Sequence, residues 1–584
     1  MPAASTASSP EWAVGLRHWL LLGSILTVGL GLRLWRLASK PLWVDEIITS
    51  IFALGRNFDE LPADQVLPLT AVPELFILKA EVGCGAIATH LATQSTHPPL
   101  FFCLLHSWLI ALSPWVDSLA WQLRSFSVLW GVVAIAALYL LNRLAFSPQA
   151  GLVGAGVMAL SPFAVYLSQE ARHYTLPITL ITLGLAAQVK LQQQLQQGKI
   201  RLWLWALWGL CHCLALYSHY FCALAIAAQW WVLIAFKLRF KVRCPKAGLI
   251  GLLAYGLPLL GFVPWLPTFW QHFNSPKTGW LSAPQGLNPL VQTVAGWIVM
   301  LVSLPVEHQP LVIQIGSGLL TLLGVSFLLW LTQAGLKHLP ASPERFTLVG
   351  VLGMTMLEFF TVIYLLQKDI SIAPRYHFVY FPVVCALLGA AGAELLKAPA
   401  SPKRQALPTL ANAPLKPRQH GTVGWVDAKK RSQPTRRHLF GLGLSSLLLG
   451  ISSLCVVYNL AFQKPYAPDR VAAQFNAESA PVTVMMAYHN TLEMAVGLSY
   501  GLALAQRRTA PGNLALVRFT NTETGIWQTL ARLNLAPRFL WVIAPGYFDD
   551  SFPTPVTLDQ GRLCQLEPEQ FYRLGFPYQR YRCQ

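Results

Sequence analysis

Long apolar stretches alternate with short polar segments along the chain up to residue 461, and the pattern changes beyond it. About 20 consecutive apolar residues are needed for a helix to cross the hydrocarbon core of a bilayer. Eleven stretches approach or reach this length: 19–37, 121–143, 149–168, 175–196, 201–219, 222–239, 248–268, 311–336, 346–367, 375–397 and 439–461. The pattern therefore predicts a mainly α-helical polytopic membrane protein with about eleven spans.

Two further apolar runs, 97–115 and 288–306, are short for a crossing. Membrane proteins concentrate Lys and Arg in their cytoplasmic loops, and the strongest basic clusters lie in 237–246 and 398–438. Both clusters fall on the same side as the N-terminus if the two short runs lie in the membrane interface. We therefore predict two interfacial helices, a cytoplasmic N-terminus and an extracytoplasmic C-terminus.

This topology predicts five parts along the chain. In order they are a cytoplasmic N-terminus (1–18), a transmembrane domain (19–397), a basic cytoplasmic linker (398–438), a final span (439–461) and an extracytoplasmic C-terminal domain (462–584). The C-terminal part is more polar and contains three runs that predict strands and two that predict helices: 481–488, 514–519 and 538–545, then 490–505 and 523–533. We predict that it forms a small α/β domain.

Two of the ten cysteines, Cys564 and Cys583, belong to this C-terminal domain. On the oxidising side of a membrane they form either a disulfide or two free thiols, and their spacing does not distinguish these outcomes. The other eight cysteines lie in or near apolar runs, where cysteine packs as a small hydrophobic residue. We expect those eight to be core residues.

The composition agrees with a membrane protein. Hydrophobic residues make up 54% of the chain and charged residues only 12%, whereas an ordinary soluble domain has roughly 25% charged residues. This shortage of charge excludes a soluble multidomain protein and a disordered chain. The formal net charge of +18 belongs largely to the predicted cytoplasmic loops, so we predict no nucleic-acid partner.

Carboxylates are scarce, so their positions are informative. Seven of the 25 acidic residues lie in the first predicted outer segment, 38–96, and none lies between Glu170 and Glu307. Asp45 and Glu46 directly follow the first span, where a carboxylate could reach a substrate whose apolar tail lies in lipid. Alternatively, both acids only stabilise the N-terminus of an amphipathic helix, and the residues alone leave these two interpretations open.

Two predicted outer turns combine arginine with tyrosine. The first turn contains Glu170, Arg172 and Tyr174, and the second contains Arg375 and Tyr376. A guanidinium group binds phosphate in a bidentate manner, although interfacial arginine and tyrosine also serve as simple membrane anchors. Two arginines at the same predicted depth suggest that an anion binds between them.

Two isolated ionisable residues complete the set of candidates. His97 opens the first interfacial helix, ahead of two prolines in its first turn, where a lone histidine is more often a local hydrogen-bonding residue than a catalyst. Glu358 lies in mid-span, where an ionisable group costs several kcal/mol unless it is paired or hydrated, and is a secondary candidate. Because no His, Cys and Asp cluster has metal-ligand spacing, we predict no obligatory metal and leave a divalent metal open.

Four motifs occur in an order that resembles a known superfamily. They are Trp43-Val44-Asp45-Glu46, His97-Pro98-Pro99-Leu100, the turn 168–174 and Pro374-Arg375-Tyr376. Over about residues 19–397 they resemble the GT-C superfamily of integral-membrane glycosyltransferases. The likeness is greatest to the family 39-like branch that contains the protein O-mannosyltransferases and the lipid A aminoarabinose transferases.

The resemblance implies a sugar donor carried on a polyprenyl phosphate, an extracytoplasmic acceptor that is a lipid, protein or polysaccharide, and inversion at the anomeric carbon. It implies that Asp45 is the general base, with Glu46 beside it. It also implies that Arg172 and Arg375 stabilise the charge that develops on the leaving phosphate.

By the same analogy, His97 and Tyr174 contact the donor phosphate or sugar, and Tyr376 orients Arg375. The aminoarabinose branch has an aspartate where this chain has Glu170. The resemblance therefore leaves the role of Glu170, as a metal ligand or a substrate contact, open.

A transporter or flippase of lipid-linked saccharides is the main alternative, since it would also need many spans and outward-facing cations. Transporters place ionisable groups at the bilayer midplane on broken helices, often in repeated halves. This sequence shows no convincing internal repeat and keeps its acids outside, apart from Glu358, which favours the transferase. A scaffold that binds a partner through its C-terminal domain would have no need of Asp45.

Overall fold

The structure is a computed structural model of the 584-residue chain. It describes residues 15–242, 245–397, 436–477, 480–508, 510–518, 523–533, 537–543, 552–558 and 561–584. The predicted cytoplasmic N-terminus as far as residue 14, and the predicted basic linker as far as residue 435, lie outside the described residues.

Helices account for nearly all of the regular structure before residue 460. The first ten are α1 (Leu16–Leu34), α2 (Val44–Ala53), α3 (Cys84–Gln94), α4 (Leu100–Leu112), α5 (Leu119–Ala145), α6 (Pro148–Leu160), α7 (Pro162–Ser168), α8 (Thr175–Gln196), α9 (Leu202–Ser218) and α10 (Cys222–Arg239). The next seven are α11 (Pro245–Phe262), α12 (Leu266–Phe273), α13 (Asn288–Leu301), α14 (Leu311–His338), α15 (Pro343–Tyr364), α16 (Phe381–Leu396) and α17 (Arg436–Val457). Short 3₁₀ turns form at Phe58–Glu60, Leu69–Phe76, Val263–Trp265, Pro276–Thr278, Ile370–Ile372 and Pro374–Val379.

Every range predicted to be a span overlaps with at least one of these helices. Among the described residues, five helices are long and apolar enough to cross a bilayer, namely α5, α10, α14, α15 and α17, and the bent pair α6–α7 makes a sixth. The two runs predicted to be interfacial form α4 and α13, with 13 and 14 residues, fewer than the about 20 that a crossing requires. The count of eleven spans stays a prediction.

Serine followed by proline marks three helix starts. Ser147, Ser161 and Ser342 each accept a hydrogen bond from a backbone N–H in the first turn of α6, α7 and α15. Proline fits the next position because an N–H there would have no partner within the helix, so its absence in proline costs no hydrogen bond. The second of these starts bends α6 against α7 by 60°, so the predicted span 149–168 is a broken helix.

The predicted span 375–397 also starts differently from a continuous helix. Pro374–Val379 form a 3₁₀ turn, and α16 begins only at Phe381, with Pro382 in its first turn. Because proline is tolerated in the first turn but not in the interior of a helix, the chain begins a new helix here. Arg375 therefore lies in the 3₁₀ turn and outside α16.

The C-terminal domain contains the predicted strands and helices, together with one further helix and three further strands. Its helices are α18 (Pro468–Phe475), α19 (Thr491–Ala505) and α20 (Glu523–Arg532). The strands are β1 (Gln65–Pro68), β2 (Val482–Tyr488), β3 (Gly512–Arg518), β4 (Phe539–Ile543), β5 (Val556–Thr557), β6 (Leu563–Leu574) and β7 (Phe576–Cys583), in the sheet order β1-β3-β2-β4-β7-β6-β5. The three predicted strands correspond to β2, β3 and β4, which pair in parallel.

The sheet includes one strand from outside the C-terminal domain. Strand β1 lies in the first predicted outer segment and pairs antiparallel with β3, with Gln65 opposite Leu516. This pairing covers the exposed edge of β3, an edge that would otherwise present unpaired N–H and C=O groups. The bounds 462–584 stay a prediction, and four residues of the first predicted outer segment join the sheet of this domain.

Two disulfides lie in these outer regions. Cys564 and Cys583 are bonded, which decides between the two outcomes that the sequence left open. Cys84 and Cys103 are also bonded, at the facing ends of α3 and α4. The expectation that the other eight cysteines are all core residues is wrong for this pair, because Cys84 is exposed and Cys103 lies on the partly exposed face of α4.

The C-terminal domain packs on the helix that follows the first span. The hydroxyl of Ser499 in α19 donates a hydrogen bond of 2.6 Å to the carbonyl oxygen of Leu42, just before α2. Helix α2 is almost completely buried, with Ile47 and Ile51 fully enclosed. The residues at its N-terminus are therefore held between the helical domain and the C-terminal domain.

Candidate active site

Asp45 and Glu46 occupy the first turn of α2, directly after the N-cap residue Trp43. The side chain of Glu46 accepts a hydrogen bond of 3.4 Å from the backbone N–H of Trp43. Carboxylates are favoured at this end of a helix because the unsatisfied N–H groups carry partial positive charge. Both acids therefore lie at a helix start, which either of the two interpretations allows, but their other contacts differ.

The carboxylate of Asp45 faces two guanidinium groups. Its Oδ2 lies 3.3 Å from Nη2 of Arg375 and 3.8 Å from Nη2 of Arg172. Burial by itself would raise the pKa of Asp45, but Arg375, Arg172 and Lys464 outweigh it and lower the pKa below its ordinary value. Asp45 is therefore an ionised carboxylate at neutral pH.

Glu46, one residue further, forms a closed ion pair. Arg124 donates to it twice, from Nε to Oε1 and from Nη2 to Oε2, each at 2.7 Å. The backbone N–H of Ala171 donates a third hydrogen bond of 2.8 Å, and Glu46 is 0% exposed. Both oxygens are thus occupied, and the remaining N–H groups of Arg124 bond the carbonyls of Leu37, Lys40 and Pro41.

Arg172 connects α2 with the segment before α4. Its Nη1 donates to the backbone oxygen of Asp45 at 3.1 Å and to Oγ1 of Thr49 at 2.9 Å. Its Nη2 lies 3.3 Å from Nε2 of His97, whose Nδ1 lies 2.9 Å from the hydroxyl of Ser95. Burial and the nearby Arg172 lower the pKa of His97 well below its ordinary value, so His97 is neutral and accepts from Arg172.

Aromatic rings surround Arg375. Its Cζ lies 5.5 Å from the ring centre of Trp43, 5.6 Å from that of Tyr376 and 5.9 Å from that of Trp280. Tyr174 lies similarly, 5.9 Å from Cζ of Arg172. Such contacts orient a guanidinium group while leaving its N–H groups free to bind an anion.

Seven of the predicted site residues thus lie in one region, at the ends of the helices that are predicted to face outward: Asp45, Glu46, His97, Arg172, Tyr174, Arg375 and Tyr376. Within these seven residues, three buried side-chain atoms have no hydrogen-bond partner in the described structure, namely Oδ2 of Asp45, Nε of Arg172 and Nε of Arg375. Buried polar atoms are normally satisfied. Unsatisfied donors beside an unsatisfied carboxylate oxygen are typical of a site that a polar substrate completes.

Glu170 lies beside this region but contacts a residue that the sequence did not suggest. It forms an ion pair with Lys464, in the segment between α17 and α18. Burial lowers the pKa of Lys464 to about 7, and Glu46 and Asp45 oppose this shift. A lysine just beyond the last predicted span, in a part of the chain that otherwise contains arginine and no other lysine, was the signal that could have identified it.

Glu358 is not joined to the other candidates. It is half-buried in α15, and both of its carboxylate oxygens lack a hydrogen-bond partner among the described residues. Arg124, in contrast, was missed because it lies inside an apolar run, 121–143, where it only lengthens a predicted span. Within the described part of the chain, no group of three or more His, Cys, Asp or Glu residues could hold a metal ion.

The chain resembles known proteins in sequence over part of its length and in fold over nearly all of it. A family described as dolichyl-phosphate-mannose-protein mannosyltransferase matches residues 96–267. Among solved structures, ArnT from Cupriavidus metallidurans in the apo state is similar over 97% of this chain and 98% of that chain, with 13% sequence identity and a TM-score of 0.50. The chain has the GT-C fold. The resemblance stated from the four motifs is confirmed at this level.

Two other solved structures are less similar to the chain. The oligosaccharyltransferase of Archaeoglobus fulgidus in the apo form matches 84% of this chain and 64% of its own, with 12% identity and a TM-score of 0.46. The protein O-mannosyltransferase complex of S. cerevisiae bound to its sugar donor matches 45% of this chain and 34% of its own, with 16% identity and a TM-score of 0.31. No curated protein sequence matches the chain.

Proposed function

We propose that this GT-C protein is a membrane glycosyltransferase that moves a sugar from a polyprenyl-phosphate donor to an extracytoplasmic lipid, protein or polysaccharide. The observation that carries the proposal is the contact of Asp45 with two arginines, Arg375 and Arg172, at the outer ends of the helices. A carboxylate and two cations in one place are what glycosyl transfer from a phosphate requires.

In the proposed reaction, the carboxylate of Asp45 takes the proton of an acceptor hydroxyl. The acceptor oxygen attacks the anomeric carbon, the bond from that carbon to the phosphate oxygen breaks, and the polyprenyl phosphate departs with the electron pair. Attack opposite the leaving group inverts the anomeric configuration. The low pKa of Asp45 keeps the base ionised before each turnover.

Arg375 and Arg172 stabilise the negative charge that develops on the departing phosphate. They also hold Asp45 when no donor is bound, so donor binding exchanges an arginine–carboxylate contact for an arginine–phosphate contact. His97 accepts from Arg172, while Tyr174 and Tyr376 pack against the two guanidinium groups. We assign these three residues to donor binding and orientation.

For Glu46 and Glu170 the contacts support roles other than direct catalysis. Glu46 has both oxygens engaged and no exposed surface, so we propose that it fixes Arg124 and the start of α2. Glu170 pairs with Lys464, and we propose no metal or substrate contact for it.

The deciding experiment is a transfer assay with a polyprenyl-phosphate sugar in membranes that contain the Asp45→Asn variant. We expect transfer to fall by about 10³-fold or more, since a general base contributes about 10²–10⁴-fold, with unchanged protein abundance. Asp59→Asn is the matched control, because Asp59 lies in the same outer segment and accepts only a peripheral hydrogen bond from Gln94. Retained transfer in Asp45→Asn would remove the assignment of the base.

Two variants distinguish the transferase from a transporter. A flippase of lipid-linked saccharides would depend on its mid-span acid, so Glu358→Gln would abolish movement of the saccharide across the membrane while Asp45→Asn would not. The transferase predicts the reverse order of effects. The carboxylate of Glu358, which has no hydrogen-bond partner within the part of the chain that the structure describes, keeps this alternative worth testing.

We also propose that the C-terminal domain and the first outer segment share the extracytoplasmic side. The pairing of β1 with β3 joins them in one sheet. A disulfide ties Cys84 of the first segment to Cys103, another joins Cys564 to Cys583 in the C-terminal domain, and disulfides persist in oxidising compartments. A membrane-impermeant maleimide should label a cysteine introduced at position 81 in intact cells and should label one at position 199 only after permeabilisation. Labelling of position 199 in intact cells would reverse the topology.

A further inference from the structure

Lys464 reaches the candidate site from a part of the chain that neither the four motifs nor the family match includes. It lies in the segment between α17 and α18, seven residues after Val457. Its ammonium group lies 4.2 Å from the ring centre of Trp43 and 4.5 Å from that of Tyr166. It also pairs with Glu170, and its side chain is only 19% exposed.

Burying an ammonium group costs free energy unless charges and polar groups compensate. Here a carboxylate and two aromatic faces provide part of the compensation. The chain therefore has a lysine at a position where an uncharged residue would avoid the cost of burial. A charge placed there at this cost points to a role that depends on the charge.

The two main contacts of Lys464 belong to the two elements that carry the reacting groups. Trp43 is the N-cap of α2 and is two residues before Asp45. Glu170 is two residues before Arg172, in the turn between α7 and α8. One side chain thus joins the start of α2 to this turn.

One hydrogen bond already joins the two elements, since the N–H of Ala171, next to Glu170, donates to Glu46 across the same gap. The segment that supplies Lys464 contacts the C-terminal domain, because the ring of Tyr466 stacks on that of Phe576. That domain in turn contacts the start of α2, because Ser499 donates to the carbonyl oxygen of Leu42. Lys464 therefore lies between the turn, the start of α2 and the C-terminal domain.

We propose that Lys464 is a positioning residue which holds Trp43 and Glu170 together and thereby sets the separation of Asp45 from Arg172. This proposal rests on the proposed transferase function, and it assigns to the segment after the last span a part in the outer site. Lys464 acts through its neighbours and does not touch the donor.

The first test is the Lys464→Gln variant in the transfer assay at about pH 6.5, where an amine with a pKa near 7 is mostly charged. We expect kcat to fall about tenfold, less than the about 10²–10³-fold loss for a direct donor to a transition state, with the donor KM within about twofold of wild type. Lys464→Arg, which keeps the charge and the cation–π contacts, should restore most of kcat. A rise in donor KM with unchanged kcat would show contact with the donor and overturn the proposal.

The matched control is Lys79→Gln. Lys79 also pairs with a carboxylate in the outer region, Glu60, but this pair is about one-third exposed and exposed pairs contribute little. We expect Lys79→Gln to change neither kcat nor donor KM. An equal loss in both variants would mean that Lys464 has only a general effect of surface charge.

A double-mutant cycle with Trp43→Phe tests the contact itself. If Lys464 acts through Trp43, the double variant Trp43→Phe, Lys464→Gln should lose little more activity than Lys464→Gln alone. Fully additive losses in kcat would contradict action through this ring.

Hydrogen exchange separates this proposal from the transferase assignment because it needs no activity. The N–H groups of Glu46 and Ile47 bond the carbonyl oxygen of Trp43, and that of Arg172 bonds the carbonyl oxygen of Glu170. Lys464→Gln should accelerate exchange at the start of α2 and in the 169–174 turn, and Lys79→Gln should not. Unchanged exchange at both places would refute the positioning role even if the protein proves to be a transferase.

Discussion

Asp45 and Glu46 are neighbours in sequence and on the same helix turn, yet their surroundings differ. Glu46 accepts two hydrogen bonds from one arginine at 2.7 Å and a third from a backbone N–H. Asp45 faces two arginines at 3.3 and 3.8 Å, and its Oδ2 makes no hydrogen bond within the described structure. The Glu46–Arg124 pair therefore has its hydrogen-bonding groups engaged. The group of Asp45, Arg172 and Arg375 has donors and an acceptor that are not used.

The difference shows how a buried ion pair can serve either stability or chemistry. A pair with every polar atom engaged cannot exchange partners without a large loss of free energy. A looser group with one carboxylate and two cations can take an anion between them at lower cost. The following changes test this contrast, from the largest expected effect to the smallest.

Glu46→Gln should have the largest effect on folding. It leaves the buried Arg124 without its carboxylate, and breaking one side of a buried pair typically costs about 3–5 kcal/mol. We expect a clear fall in the thermal unfolding midpoint of the purified protein and in its abundance. An unchanged midpoint, together with a selective loss of transfer, would return Glu46 to the list of catalytic candidates.

Arg375→Ala should act on the donor instead. The variant removes a charge-assisted contact worth about 1.5–3 kcal/mol, so the donor concentration needed for half-maximal transfer should rise by about 10- to 100-fold with little change in the unfolding midpoint. Arg56→Ala is a control, since Arg56 is an exposed arginine that bonds the carbonyl oxygen of Ile77. Unchanged donor dependence in Arg375→Ala would count against the phosphate role.

The pH profile of Arg375→Ala gives the smallest effect. In the wild type, Arg375 and Arg172 hold the pKa of Asp45 below its ordinary value, so kcat/KM should decline only at pH values below the usual aspartate range. Removing one cation raises this pKa, because an adjacent arginine typically lowers an aspartate pKa by about 1–3 units. The acid limb of kcat/KM should move upward by about one unit, and a downward or absent movement would contradict Asp45 as the titrating base.

Much of the helical domain was predictable because the bilayer requires long apolar runs. The helix breaks were not predicted, although Ser161-Pro162 and Pro374 provided the signals. Strand β1 could not be predicted from a four-residue segment, since its only reason for being a strand is the edge of β3. The hairpin of β6 and β7 was also missed, because its alternating polar residues lack an apolar run.

The candidate site was predictable in its motifs but not in its connections. Asp45, Arg172 and Arg375 were suggested by position and by resemblance, and the structure brings them together. Arg124 and Lys464 were missed because a charge inside a span, or just after one, acquires meaning only from a partner that lies far away in sequence.

The sequence by itself determined which segments are long and apolar enough to lie in a membrane. It also determined that seven of the 25 acidic residues lie between the first of these segments and α4. Only the tertiary structure decided which of two adjacent carboxylates is enclosed and which remains available. Successive residues of a helix point about 100° apart, so Glu46 meets Arg124 of α5 while Asp45 meets Arg375 and Arg172. Identical chemistry at neighbouring positions acquires different roles because the contacts come from other parts of the chain.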